Sequence, residues 1–181
     1  MRESLKKIIV IALALAMAVS MIMPAFAAKS PTKGKTPITK DMVRDSKTKK
    51  NIYKVYKSGY AHLKSLKVPK KKSATVPSTI TYKGVTYKVN WIRANAFRKN
   101  SKLRTITIKG NIKTINKHAF KGSKIKTVKF ACKKAPKLRK GSFKKCKVKT
   151  VKVSKKMSKS AYKKFKKALR KAGFKGKIKR Y

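Results

Sequence analysis

Few side chains in this sequence can carry acid–base, nucleophilic or metal chemistry. There are three carboxylates (Glu3, Asp41 and Asp45), two histidines (His62 and His118) and two cysteines (Cys132 and Cys146), against 55 lysines and arginines. From Ser46 to Tyr181 there is no Asp or Glu. General acid–base catalysis needs a carboxylate, an imidazole or an activated nucleophile with a positioned partner. A Ser-His-Asp arrangement would require Asp41 or Asp45 to fold back onto a distant histidine. The His and Cys positions, 62, 118, 132 and 146, fit none of the tight CxxC or HxxxH pairs of zinc sites, and no glycine motif that cradles phosphate is present. Both histidines therefore read as exposed or capping side chains, and no catalytic residue, metal or cofactor is expected. What remains is charge. A formal net charge of +52 on 181 residues cannot be neutralised by internal ion pairs, so it must be screened by salt or met by an anionic partner.

The elements that would present this charge follow from a repeat. Phe97, Phe120 and Phe143 are 23 residues apart, and other apolar positions keep the same beat. Val89/Ile112/Ala135, Ile92/Ile115/Leu138 and Ala96/Ala119/Ser142 precede the Phe. Leu103/Ile125/Val148, Ile106/Val128/Val151 and Ile108/Phe130/Val153 follow it. One residue is deleted between the first and second copies, in the turn after the Phe. A fixed period of this length predicts a β-rich solenoid, in which one copy cannot bury its apolar face alone but stacked copies share a continuous core. Residues 105–108, 127–130 and 150–153 alternate with period two, so one set points inward and its neighbours outward. The outer set is Thr105/Thr127/Thr150 beside Thr107/Lys129/Lys152, with Arg104/Lys126/Lys149 at the entrance of each strand. Arg104, Lys126, Lys129, Lys149 and Lys152 thus form a candidate binding strip for a polyanion.

The flanking segments divide as follows. Residues 1–27 read as a signal peptide: Arg2, Lys6 and Lys7 precede an apolar run from Ile8 to Met23, and Ala25-Phe26-Ala27 is a small-x-small cleavage site; a retained anchor is the alternative. Residues 28–50, rich in Lys, Thr, Ser and Pro with few large apolar groups, read as a flexible basic lead. Residues 51–88 alternate as half-buried strands, with Lys83-Gly84 as a tight turn, and form an N-terminal β cap. Three repeats occupy 89–153. Residues 154–181 carry a helical period at Tyr162, Phe165, Leu169 and Ala172, with Ser158 or Ser160 able to cap its start and Gly173 its end. This basic amphipathic helix would seal the open core, or else lie on an anionic membrane. Cys132 and Cys146 could pair in an oxidising compartment. Alternatively they are separate buried thiols, because Cys146 fills the turn position of Asn100 and Ser123. Tyr82, Tyr87 and Trp91 are either a stacking platform for nucleic acid or packing at the seam between cap and first repeat.

In the second copy, Ile112-x-x-Ile115-x-x-x-Ala119-Phe120-x-x-Ser123 followed by Ile125-x-x-Val128-x-Phe130 resembles the BspA-type leucine-rich repeats of bacterial secreted and surface proteins. The resemblance extends over residues 76–181, and departs from the family pattern at Ser142, which stands in place of Ala, and in its small number of copies. It implies a short leucine-rich repeat array, exported, used for adhesion or recognition, and it implies no catalytic residue. Combined with the charge, the expectation is a secreted, non-catalytic protein whose Lys/Arg-rich faces bind anionic polymers such as teichoic acid, acidic glycans or extracellular DNA. Two other readings stand beside it: an adhesion or structural protein that recognises a surface protein through the strand face, and a membrane-active cationic protein.

Overall fold

The computed structural model describes residues 35–181 apart from Thr48 and Lys99. The expected signal peptide and the start of the lead lie outside the described residues. The strands are β1 (Lys40–Arg44), β2 (Ile52–Val55), β3 (Tyr60–Ser65), β4 (Ser73–Thr75), β5 (Thr79–Tyr82), β6 (Val85–Ile92), β7 (Thr105–Lys109), β8 (Thr114–Ile115), β9 (Thr127–Ala131), β10 (Lys137–Leu138), β11 (Thr150–Val153) and β12 (Lys177–Arg180). One helix, α1, spans Lys159–Lys171.

The alternating runs stack as parallel strands in the register their alignment requires. Thr105, Thr127 and Thr150 are neighbours on β7, β9 and β11, as are Ile106, Val128 and Val151, and Ile108, Phe130 and Val153. The six apolar members of these rows are all fully buried, as period-two alternation over a covered face demands. The ladder does not end with these three strands. β4 pairs with β7 at one end, and β12 pairs in parallel with β11 at the other, giving five strands in the order β12-β11-β9-β7-β4. A second sheet, β1-β2-β3-β6-β8-β10 with β5 hydrogen-bonded to β6, closes the opposite side and the N-terminal end.

Between the sheets runs the phenylalanine ladder. The rings of Phe97 and Phe120 are stacked at 5.2 Å, and those of Phe120 and Phe143 at 4.7 Å. Phe174, beyond the helix, continues it at 5.3 Å from Phe143, a member that the 23-residue period does not contain. The turn after each Phe is closed by one side-chain donor: Asn100 Nδ2 donates to the Phe97 carbonyl, Ser123 Oγ to that of Phe120 and Cys146 Sγ to that of Phe143. Just before the Phe, Asn95, His118 and Gly141 all have positive φ, 58°, 57° and 78°. Their main chains are linked coil to coil, with Asn95 N–H donating to the His118 carbonyl and His118 N–H to that of Gly141.

The terminal helix is set by its caps. Ser158 Oγ accepts from Ala161 N–H at the start. At the end Phe174 N–H bonds the Leu169 carbonyl and Gly173 N–H that of Arg170, the paired bonds of a Schellman motif. Phe165 and Leu169 are buried, and the Phe165 ring meets Phe130 edge-on at 4.9 Å. The apolar side of α1 therefore covers the repeat core.

One expectation differs from the structure. The lead predicted to be flexible over 28–50 contains β1, which pairs antiparallel with β2. Composition understated this segment because a few well-placed contacts anchor it: Val43 is buried, Asp45 accepts from Thr81 N–H at 3.1 Å, and Ile38 N–H donates to the Tyr87 hydroxyl at 2.9 Å. Of the two readings of the cysteines, the structure has the separate thiols. Cys132 and Cys146 are both free thiols, Cys132 just past the end of β9 and Cys146 in the turn before β11.

Candidate functional site

On the outer side of the parallel sheet, Lys129 of β9 is directly in register with Lys152 of β11. Neighbouring strands lie about 4.8 Å apart, so the sheet sets the two ammonium-bearing stems side by side. β12 adds Lys179 in register with Lys152, and Lys177 in register with Thr150. The column predicted from sequence as Lys129–Lys152 is thus Lys129–Lys152–Lys179. The entrance column is held by main-chain bonds between coils: Lys126 N–H donates to the Arg104 carbonyl and Lys149 N–H to that of Lys126, both at 2.8 Å. All three residues of that column are exposed. Arg104 spends part of its guanidinium locally, since its Nη1 donates to the Ser101 carbonyl at 2.7 Å. The structure therefore sets Lys129 and Lys152 side by side within the strands, and Arg104, Lys126 and Lys149 in a separate exposed column just before β7, β9 and β11.

Sequence reading missed Lys177, Lys179 and Tyr181. The signal was present but short: Lys177-Ile178-Lys179 has the alternation of the repeat strands with a single apolar residue. Tyr181 follows in the same alternation and is 43% exposed. The Lys129 ammonium stands 5.8 Å from the centre of its ring, a cation–π contact across two strands. Burial pushes the Tyr181 phenol up, with the Cys132 side chain adding to the shift. Cys132 and Cys146 are likewise pushed up by burial; both thiols are kept protonated, the poorly nucleophilic form.

The remaining chemistry-bearing residues serve other ends. Asp41 sits 3.5 Å from Lys64 Nζ and 3.8 Å from Lys54 Nζ. Partial desolvation raises its pKa, but the Met42 N–H and these two ammoniums outweigh it and hold the carboxyl below its ordinary value. His62 lies between the rings of Tyr56 at 4.4 Å and Trp91 at 4.9 Å, tilted to both, and its Nδ1 shares a 3.0 Å hydrogen bond with the Tyr56 hydroxyl. Burial, then the charges of Arg93 and Lys54, push its pKa down to about 4. Lys54 lies over Tyr56 and Arg139 over Trp91, so the row runs cation, three rings, cation. Trp91 therefore takes part in an aromatic row and is only half-buried, Tyr87 is fully buried at the seam, and Tyr82 is half-buried against the core. Among the described residues no group of three or more His, Cys, Asp or Glu could hold a metal ion, and no helix is long and apolar enough to cross a membrane.

A parallel sheet of short strands, stacked in register and edged by turns that repeat their hydrogen bonds, defines a leucine-rich repeat solenoid. Residues 90–179 match the BspA type leucine rich repeat region in six copies, and the chain belongs to that family through this region. The matched region begins in β6 and ends in β12, so it takes in α1 and the added strand as well as the three phenylalanine-marked copies. No match was found among curated proteins or solved structures.

Proposed function

We propose that this is a secreted, non-catalytic repeat protein that binds anionic polymers through the cationic face of its parallel sheet. The observation that carries the reading is the in-register column Lys129–Lys152–Lys179 on a chain with no Asp or Glu after Asp45. Two like charges about 5 Å apart repel by about 0.8 kcal/mol even in a fully water-like dielectric. The column contains two such neighbour pairs, and a single cation–π contact of about 0.5–1 kcal/mol offsets part of the total. A bound polyanion would neutralise the column and stabilise the native state by linkage.

The fold also bears on the other two readings. Protein recognition is favoured at the β4–β7 end, where the outer residues Ser73, Thr75, Thr105 and Thr107 are uncharged and offer hydroxyls. Membrane activity through α1 would require Phe165 and Leu169 to leave the core that they cover. A salt series separates the readings. Capture on immobilised teichoic acid, acidic glycan or DNA should be strong at low salt and vanish as salt rises, because contacts to a polyelectrolyte release counterions. Capture of a protein partner that survives high salt, with no capture on any polymer at low salt, would overturn the proposal.

A further inference from the structure

Most layers of the solenoid continue past the third copy. In the parallel sheet β12 sets Ile178 beside Val151, in the ladder Phe174 follows Phe143, and at the turn the Ala172 carbonyl accepts from Phe143 N–H. The second sheet instead stops at β10. Its row Ile92–Ile115–Leu138 is in register; the first two are fully buried, whereas Leu138, the last, is only half-buried. Lys137 N–H donates to the Lys113 carbonyl and Arg139 N–H to that of Ile115. By the alternation of a parallel strand, the N–H and C=O of Leu138 therefore point away from β8, and neither has a main-chain partner among the described residues. The turn bonds that run from Asn95 to His118 to Gly141 end in the same way, at a Gly141 N–H that donates to no carbonyl.

Opposite this edge stands the C-terminal half of α1. Leu138 and Lys140 on one side, with Ala168, Lys171 and Ala172 on the other, line a cavity of about 460 Å³, a volume typical of ligand pockets. The two alanines are small enough to leave open the space that a fourth side chain of the Ile92–Ile115–Leu138 row would fill. Lys140 and Lys171 are exposed at its rim, and Lys137 is exposed on the strand itself. The repeats hold no Asp or Glu to meet these ammoniums, and a second copy of this chain would bring only more lysine.

We propose that this edge takes an extended acidic peptide of a partner protein as a further strand of the second sheet, with an apolar side chain beside Leu138 and carboxylates at Lys140 and Lys171. Strand addition of this kind draws affinity from main-chain hydrogen bonds and specificity from alternate side chains. The β12 strand shows that such an edge is enough to order a segment with one large apolar residue. A phosphodiester chain meets the lysines but has neither a strand's main chain nor an apolar side chain at every second position. The site is separate from the lysine column of the parallel sheet and does not rest on the polyanion reading.

The test uses the full chain at physiological salt, where long-range attraction to the net charge is screened. Fluorescence anisotropy compares three labelled probes of equal charge: a peptide of alternating Glu and Val, a peptide of alternating Glu and Pro, which lacks half the main-chain donors, and an oligothymidylate. The Glu/Val peptide should bind at least tenfold more tightly than the Glu/Pro peptide, and amide exchange at Leu138 should slow when it binds. Ala168→Leu fills the cavity at unchanged charge and little cost in helix propensity, and a melting curve checks that it is folded. It should weaken Glu/Val binding by about tenfold, the lower end of what burying one valine is worth, and leave oligothymidylate binding unchanged. Lys140→Gln with Lys171→Gln, both at exposed positions, should weaken the same peptide without touching the core. Equal binding of the two peptides, unaltered exchange at Leu138, or full Glu/Val binding by both variants would overturn the site. Oligothymidylate binding that persists alongside any of these results would leave the cationic face of the parallel sheet standing.

Discussion

Replacing Phe120 with alanine removes the central ring of the ladder. Phe120 is fully buried, with Phe97 at 5.2 Å and Phe143 at 4.7 Å. Truncating a buried phenylalanine costs about 3–5 kcal/mol, and each aromatic neighbour contributes about 0.5–1.5 kcal/mol beyond area burial. Phe97 has one ring neighbour in the ladder, whereas Phe143 has two, because Phe174 continues the stack. Phe97→Ala should therefore cost about 1 kcal/mol less than Phe120→Ala, and Phe143→Ala should cost as much as Phe120→Ala. For a domain of this size each kcal/mol lowers the melting temperature by about 2–4 °C, so Phe120→Ala should melt about 6–20 °C below the parent. Urea unfolding followed by circular dichroism measures the differences, with Lys121→Ala in the adjoining turn as an exposed control. If Phe120→Ala melted with the parent, there would be no shared aromatic core. If Phe143→Ala cost only as much as Phe97→Ala, Phe174 would not belong to the ladder.

Three further predictions follow from single sites. His118 holds φ at 57° in a place where the next coil has Gly141, so His118→Gly should raise stability by up to about 1 kcal/mol by relieving a left-handed side chain; a destabilised variant in a urea melt would show that the imidazole contributes more than its backbone costs. Folding lowers the pKa of His62 to about 4, below the ordinary histidine value of about 6.5, so the unfolded chain binds the proton first. Stability contributed by neutral His62 is thus present above about pH 6.5 and lost as pH falls toward 4. His62→Gln should flatten the pH dependence of the melt in that window, and an unchanged slope would remove His62 from it. A Cβ at Gly176 would collide with the Lys149 carbonyl oxygen, which also accepts from Lys177 N–H. Gly176→Ala should accordingly loosen β12 from β11, read as faster amide exchange at Lys177 and Tyr181, which donate to the Lys149 and Val153 carbonyls; unchanged protection there would refute the close approach.

How far the sequence carried the fold can be seen strand by strand. β7, β9 and β11 were legible with their register because each holds two inward apolar residues at a fixed period, and a one-residue slip would expose them all. β4 and β12 were not legible. Ser73–Thr75 and Lys177–Arg180 have at most one large apolar residue each, and they become strands only because a finished neighbour offers them an edge. β1 was hidden for the same reason, resting on Val43 and a handful of hydrogen bonds. Phe174 escaped the period because α1 and its capping turn change the spacing before the ring re-enters the ladder. At the site, Arg104, Lys126, Lys129, Lys149 and Lys152 followed from register alone, whereas Lys177, Lys179 and Tyr181 depended on a strand that only tertiary pairing creates. Cys146 was legible as a turn residue in the place of Asn100 and Ser123, and there its thiol donates to the Phe143 carbonyl.

Charge placement and total charge can be separated by one comparison. Lys129→Glu with Lys152→Glu reverses two charges on the strand face, and Lys163→Glu with Lys167→Glu reverses two on exposed positions of α1, so net charge changes equally. Binding of each double variant to one polyanion is measured at a single fixed salt concentration, after melting curves show that both are folded. The cationic face predicts a clearly larger loss of affinity for the Lys129/Lys152 pair. Equal losses for the two pairs would contradict it, leaving total charge as the determinant of binding.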